Sequence, residues 1–64
     1  MPIITLEAGK MKQEQKEDLI SGFTKVASDV LGIAEEHFIV LLKENGMDNI
    51  GSGGKTLSKL MALR

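Results

Sequence analysis

The sequence predicts a small α/β domain built on one strand–helix–strand (βαβ) unit. Apolar residues alternate with a period of two over residues 2–8, recur at spacings of three and four over residues 13–31, and run unbroken over residues 38–42. The chain has 64 residues, so we expect one domain covering 1–64. Because a strand–helix–strand crossover is right-handed and returns to the same sheet, the two strands are predicted to be parallel.

The first strand is predicted from its alternating pattern and its β-branched residues. Gly9 ends this pattern, and a short loop leads to the helix. The residues that share one face of the strand are Ile4, Leu6 and Ala8; the opposite face carries Ile3, Thr5 and Glu7.

The helix is predicted to begin near Gln13 and to end at Gly32. Gly32 is placed to adopt the left-handed conformation that closes a helix at its C-terminal end. The apolar stripe of this amphipathic helix consists of Leu19, Ile20, Phe23, Val26, Ala27, Val30 and Leu31.

The second strand, residues 38–42, is apolar at every position, which is typical of a strand covered on both faces. One helix covers one face, so the other face requires a second subunit. The stability of so short a chain leads to the same expectation, because its core is small and it has no cysteine for a disulfide. We therefore predict a homo-oligomer.

Residues 45–55 are rich in glycine and asparagine, which favours a loop or a hairpin. The weak apolar pattern of residues 57–63 predicts a short strand or a turn of helix that docks on a neighbour.

The composition excludes several classes of function. A net charge of −1 and an aromatic content of 3% do not suit a nucleic-acid-binding surface, so no nucleic-acid partner is expected. No apolar run approaches the ~20 residues of a membrane span, and no secretory signal is evident. We expect no membrane partner and a cytoplasmic location. With one histidine and no cysteine, no metal site is expected.

Pro2, the only proline, carries the most distinctive chemistry. A small residue in second position permits removal of Met1, which would leave Pro2 with a free secondary amine. An ordinary α-amino group has a pKa of ~7.7–8.0, and an apolar surrounding lowers the pKa further by disfavouring the charged form. Such an amine is suited to general base catalysis near neutral pH. The alternative is that Pro2 merely starts an edge strand, where its missing N–H costs nothing.

Several segments together resemble the 4-oxalocrotonate tautomerase family over nearly the whole chain. They are Met1-Pro2-Ile3, Glu14-Gln15-Lys16-Glu17 with Leu19-Ile20, Val40 and Glu44, Ile50-Gly51-Ser52-Gly53-Gly54-Lys55, and Leu57-Ser58. The resemblance implies a βαβ subunit with a C-terminal hairpin, a four-stranded sheet completed by dimerisation, and a hexamer assembled as a trimer of dimers. It also implies an isomerase without a cofactor, in which the terminal proline moves a proton within an enol or unsaturated 2-keto acid.

The family's other site residues are carried over unevenly. Pro2 matches the catalytic proline, and Lys10 lies near the first substrate-binding arginine of the family. The second arginine position falls at Ile39, and the position of the pocket aromatic falls at Ile50. The predicted site is therefore Pro2 as the base, with Lys10, Ile39 and Ile50 binding the substrate. Lys43 is a further candidate cation, since it has the same strand parity as Ile39.

Because one arginine position carries an apolar residue, two non-catalytic alternatives stay open. The first is an oligomeric βαβ assembly domain in which the amine has no role. The second is a small-ligand-binding module of the same fold.

Overall fold

The computed structural model describes residues 1–63 and contains the predicted βαβ unit. Strand β1 (Ile3–Ala8) leads to helix α1 (Gln13–Leu31), and strand β2 (Ile39–Glu44) returns beside β1 after a 3₁₀ turn at Glu35–His37. The two strands are parallel, and their register pairs Ile3 with Ile39 and Ala8 with Glu44. The prediction of parallel strands is confirmed.

The strand faces alternate as the sequence predicts. Side chains of β1 are alternately exposed and half-buried, and the half-buried ones are Ile4, Leu6 and Ala8. In β2 the half-buried residues are Val40 and Leu42. Helix α1 covers this one face, while the opposite face is open in the single chain.

The ends of α1 are closed by hydrogen bonds. At its start, the Lys12 N–H donates to Gln15 Oε1 at 2.9 Å. At its end, Gly32 has the left-handed φ of 68° and its N–H donates to the Ser28 carbonyl at 2.9 Å. The left-handed cap expected at Gly32 is therefore present.

Gly32 supplies a first prediction. Gly32→Ala is expected to lower the free energy of unfolding by about 1–2 kcal/mol, because a Cβ is disfavoured at a left-handed φ. Apart from Gly32 and its two chain neighbours, no atom lies within 4 Å of the position of such a Cβ, so the expected cause is backbone strain rather than a clash. Urea unfolding measures the change. Gly32→Asn is the matched control and should lose less, since asparagine tolerates this conformation better; equal losses would contradict the explanation.

The C-terminal segment folds as a short hairpin followed by a helix. Strands β3 (Gly51–Ser52) and β4 (Lys55–Thr56) are antiparallel, and Gly53 and Gly54 form the turn with φ of 62° and 84°. Two positive φ values are typical of a type I′ hairpin turn. Helix α2 (Leu57–Ala62) follows, and the Thr56 side chain accepts the Lys59 N–H at 3.2 Å.

Among residues 1–63, no side chain is fully buried. Large apolar side chains remain exposed on the open face of the sheet and on α1, with Ile3 at 60%, Leu41 at 45% and Val30 at 78%. Within the same residues, no helix has both the length and the apolar character needed to cross a membrane.

Candidate functional site

Pro2 lies at the N-terminal end of the sheet, immediately before β1. Its side chain is half-buried, and its carbonyl accepts the Ile39 N–H at 3.0 Å. This bond continues the parallel ladder one residue before β1, so the backbone of Pro2 is held beside the first residue of β2. Met1 lies outside every element and is 83% exposed. Its removal would leave the ladder intact.

Ile39 and Ile3 form an apolar pair next to Pro2. They are opposite each other in the strand register and both face the open side of the sheet, where Ile39 is 38% exposed. Of the residues predicted to bind substrate, Ile39 is therefore the one that the structure brings next to Pro2.

Lys10 lies at the other end of the sheet, just after β1. It lines an open cleft of about 800 Å³ together with polar residues of the segment that follows β2. Within residues 1–63, no carboxylate lies within ion-pair distance of the Lys10 amine. The polar side chains that share the cleft with Lys10 are Glu44, Asn45, Asp48, Asn49 and Ser58.

Glu44 organises this end of the sheet. One oxygen of its carboxylate contacts Lys16 Nζ at 2.7 Å, and the other accepts the Met11 N–H at 2.8 Å. The Lys16 hydrogen bond, the Met11 N–H and the charge of Lys10 together hold the pKa of Glu44 below its ordinary value. Glu44 thus connects the end of β2 to the start of α1 and fixes the loop that carries Lys10.

This connection predicts a pH dependence. Because the pKa of Glu44 is lowered in the folded state from an ordinary 4.5, its stabilisation is present above that value and is lost as the pH falls through the folded-state pKa. Glu44→Gln should therefore lower the melting temperature at about pH 7 and have a smaller effect at about pH 3, which is below the ordinary pKa of the group. Glu17→Gln, an exposed change on α1, is the control. An equal loss at both pH values for Glu44→Gln would contradict this role.

Ile50 follows a second 3₁₀ turn, Met47–Asn49, after β2. Its side chain is half-buried, and its carbonyl accepts the Leu57 N–H at 2.7 Å. Asp48 and Ser58 add a side-chain hydrogen bond across the same segment. Ile50 thus lies at the base of the hairpin, in the segment that leaves the sheet at the end where Lys10 follows β1.

The predicted site residues therefore divide into two groups. Pro2 and Ile39 are adjacent at one end of the sheet, whereas Lys10 and Ile50 belong to the segments that leave its other end. Lys43 is on the same open face as Ile39, but it pairs in register with Glu7 near the end where Lys10 lies.

No group of three or more acidic or histidine side chains in residues 1–63 is arranged to hold a metal ion. The polar cluster at Glu44 is satisfied by Lys16 and the Met11 N–H. This role of Glu44 is not evident in the sequence, because its partners lie 28 to 33 positions away and no local pattern marks them.

Comparison with protein families gives one match. A family model described as a tautomerase enzyme matches residues 2–60. None of the curated proteins compared matches the chain.

Comparison with solved structures gives the same family. The chain is 29% identical to YwhB, a homologue of 4-oxalocrotonate tautomerase, with a TM-score of 0.81 over 89% of this chain and 95% of the other. It is 26% identical to DmpI from Helicobacter pylori, with a TM-score of 0.79 over 91% and 98%. A 4-oxalocrotonate tautomerase isozyme from Methylibium petroleiphilum, 22% identical, shares the fold with a TM-score of 0.88 over 98% and 100%. The resemblance found in the sequence is confirmed, as are the βαβ unit and its C-terminal hairpin.

Proposed function

Because the chain belongs to the tautomerase family, we propose that it is an isomerase that moves a proton within an enol or unsaturated 2-keto acid. Pro2 is the general base, acting through the secondary amine that is freed when Met1 is removed. The observation that carries this proposal is the position of Pro2, whose carbonyl is bound to the Ile39 N–H at 3.0 Å beside an apolar strand pair.

The position of Pro2 suits proton transfer in two ways. The ladder hydrogen bond holds the terminal residue in place, so the amine does not have to be ordered when substrate binds. Ile3 and Ile39 offer hydrocarbon rather than charge, and an apolar surrounding disfavours the ammonium form. The amine is thereby kept neutral and able to accept a proton near neutral pH.

The reaction follows from this base. The neutral nitrogen of Pro2 takes the proton of the enol hydroxyl, the double bond moves to form the carbonyl, and the same proton is returned to carbon. Neither a metal nor an organic cofactor is required, since the conjugated system of the substrate carries the negative charge.

Lys10 and Ile50 take part only if two subunits share the site. Strand β1 spans the five residue steps from Ile3 to Ala8, roughly 17 Å at about 3.3 Å per residue, and Pro2 and Lys10 of one chain lie beyond its opposite ends. If two subunits join their sheets in antiparallel fashion, the Lys10 end of one lies beside the Pro2 end of the other. In a four-stranded sheet formed in this way, each site would combine Pro2 of one subunit with Lys10 of the other.

The assembly proposed is a homo-oligomer, a hexamer of three such dimers. Its physical support is the open face of the sheet and the absence of a fully buried side chain among residues 1–63. Lys10 would then bind the substrate carboxylate, while Ile39 and Ile50 would form the apolar walls of the pocket.

A direct assay tests the proposed activity. Protein whose loss of Met1 is verified by intact mass should accelerate the ketonisation of simple enolpyruvates above the uncatalysed rate. No acceleration by correctly processed, folded protein would contradict the proposal and favour a non-catalytic assembly.

Lys10 provides a more specific prediction. Lys10→Gln should raise KM about 10-fold to 100-fold, because a hydrogen bond to a charged group contributes about 1.5–3 kcal/mol. Steady-state kinetics on an enolpyruvate measures the change. Lys25→Gln is the matched control: Lys25 Nζ forms an ion pair with Asp29 at 3.5 Å, and its side chain is 71% exposed. Equal effects of the two substitutions on KM would show that Lys10 does not bind the substrate.

A further inference from the structure

The open face of the sheet beside Pro2 begins with an apolar register pair. Ile3 and Ile39 are opposite each other, and the next pair on this face is Thr5 with Leu41, which is 45% exposed. A substrate group that lies along this face next to the Pro2 nitrogen therefore contacts hydrocarbon. Burying a carboxylate there would remove its hydration without supplying a hydrogen-bond donor or a cation.

The charged side chains of residues 1–63 are also distributed unequally between the two ends of the sheet. The basic residues that flank the sheet lie toward its other end, where Lys10 and Lys16 follow β1 and Lys43 is near the end of β2. The lysine of α1 nearest the Pro2 end, Lys25, is paired with Asp29. The 3₁₀ turn that leads into β2 at the Pro2 end carries Glu35 and Glu36, with His37 after them.

From this arrangement, and resting on the function proposed above, we infer that the substrate carries a single carboxylate and an apolar substituent. The carboxylate binds Lys10 at the end contributed by a second subunit, and the substituent lies against Ile39 beside Pro2. The substrate class is an enolpyruvate with an aryl or alkyl group on C3 in place of a second carboxylate. The step is a balanced isomerisation, in which the enol O–H bond breaks, a C3–H bond forms, and no group is lost.

Two enols that differ only in the C3 substituent test this inference on the unmodified, Met1-processed protein. The enol of phenylpyruvate carries a phenyl group at C3, and the enol of oxaloacetate carries a second carboxylate. We expect kcat/KM, corrected for the uncatalysed rate, to favour the phenyl compound by about 100-fold or more. Equal values, or a preference for the dicarboxylate, would overturn the inference. Failure of the proposed function gives a different result, in which neither enol is accelerated or Pro2→Ala leaves both rates unchanged.

A substitution at Ile39 tests the cause of the preference. Ile39→Arg places a bidentate carboxylate-binding group on the apolar wall, so kcat/KM for the oxaloacetate enol should rise about 10-fold or more. Ile39→Gln is the matched polar but uncharged variant and should give no comparable gain. A folded Ile39→Arg protein with an unchanged ratio of the two substrates would contradict the role of Ile39. If this variant does not fold, the substrate ratio of the unmodified protein decides the inference.

Discussion

Pro2→Ala is expected to lower kcat/KM for enolpyruvate ketonisation by about 10²-fold to 10⁴-fold, the range that a positioned general base contributes. Alanine also permits removal of Met1, so the variant keeps a terminal amine. It loses the secondary amine and the ring that holds the nitrogen in one orientation. Steady-state kinetics on the processed protein, with Met1 removal verified by intact mass, measures the change.

A second variant separates the amine from the side chain. Insertion of one alanine between Met1 and Pro2 leaves the proline ring in place but converts its nitrogen to an amide, which has no basicity. Activity should fall at least as far as in Pro2→Ala, whereas the circular dichroism spectrum and the sedimentation coefficient should not change. Full activity in the insertion variant would exclude Pro2 as the base.

The pH profile of the unmodified protein gives an independent measure. Because the base must be unprotonated, kcat/KM should rise with pH and reach a plateau above the pKa of the free amine. We expect the midpoint at or below the ordinary α-amino range of ~7.7–8.0, since Ile3 and Ile39 offer no charge to stabilise the ammonium form. A midpoint above this range would contradict an apolar environment.

Most of the fold could be predicted from the sequence because it depends on local patterns. The alternation of residues 2–8 and the helical spacing of residues 13–31 both correspond to elements of the structure. The second strand was predicted less well: its apolar run covers residues 38–42, but β2 covers Ile39–Glu44. The pairing with β1 explains why β2 extends beyond the apolar run. The ladder of hydrogen bonds continues to its end, where the Asn45 N–H donates to the Ala8 carbonyl at 2.8 Å.

The site was less predictable because its residues are related through the sheet rather than through the sequence. Pro2 and Lys10 are eight positions apart, and only the extended conformation of Ile3–Ala8 places them at opposite ends. Ile39 is far from Pro2 in the sequence but is hydrogen-bonded to it. A single sequence supplies residue types and periodicity, and it does not supply the subunit contact that would bring Lys10 to Pro2.

The open face of the sheet is where a single charge should have the largest effect on folding. Leu41 lies in the middle of β2, pairs in register with Thr5, and is 45% exposed in the single chain. The face is apolar at Ile3 and Ile39 as well. Among residues 1–63 no side chain is fully buried, so a single chain has little core to stabilise its fold. A second subunit that covers the middle of this face, around Leu41 and beyond the Ile3–Ile39 pair beside Pro2, would supply the missing core.

Leu41→Glu should therefore dissociate the assembly and unfold the chain in one step. An unpaired charge buried at a subunit contact costs several kcal/mol, which is comparable with the whole stability of a small domain. Analytical ultracentrifugation should show a monomer, and circular dichroism should show loss of helix. Ser21→Glu introduces the same charge at an exposed position of α1 and should leave both measurements unchanged. A Leu41→Glu protein of unchanged size and spectrum would show that no subunit covers this face of the sheet at Leu41.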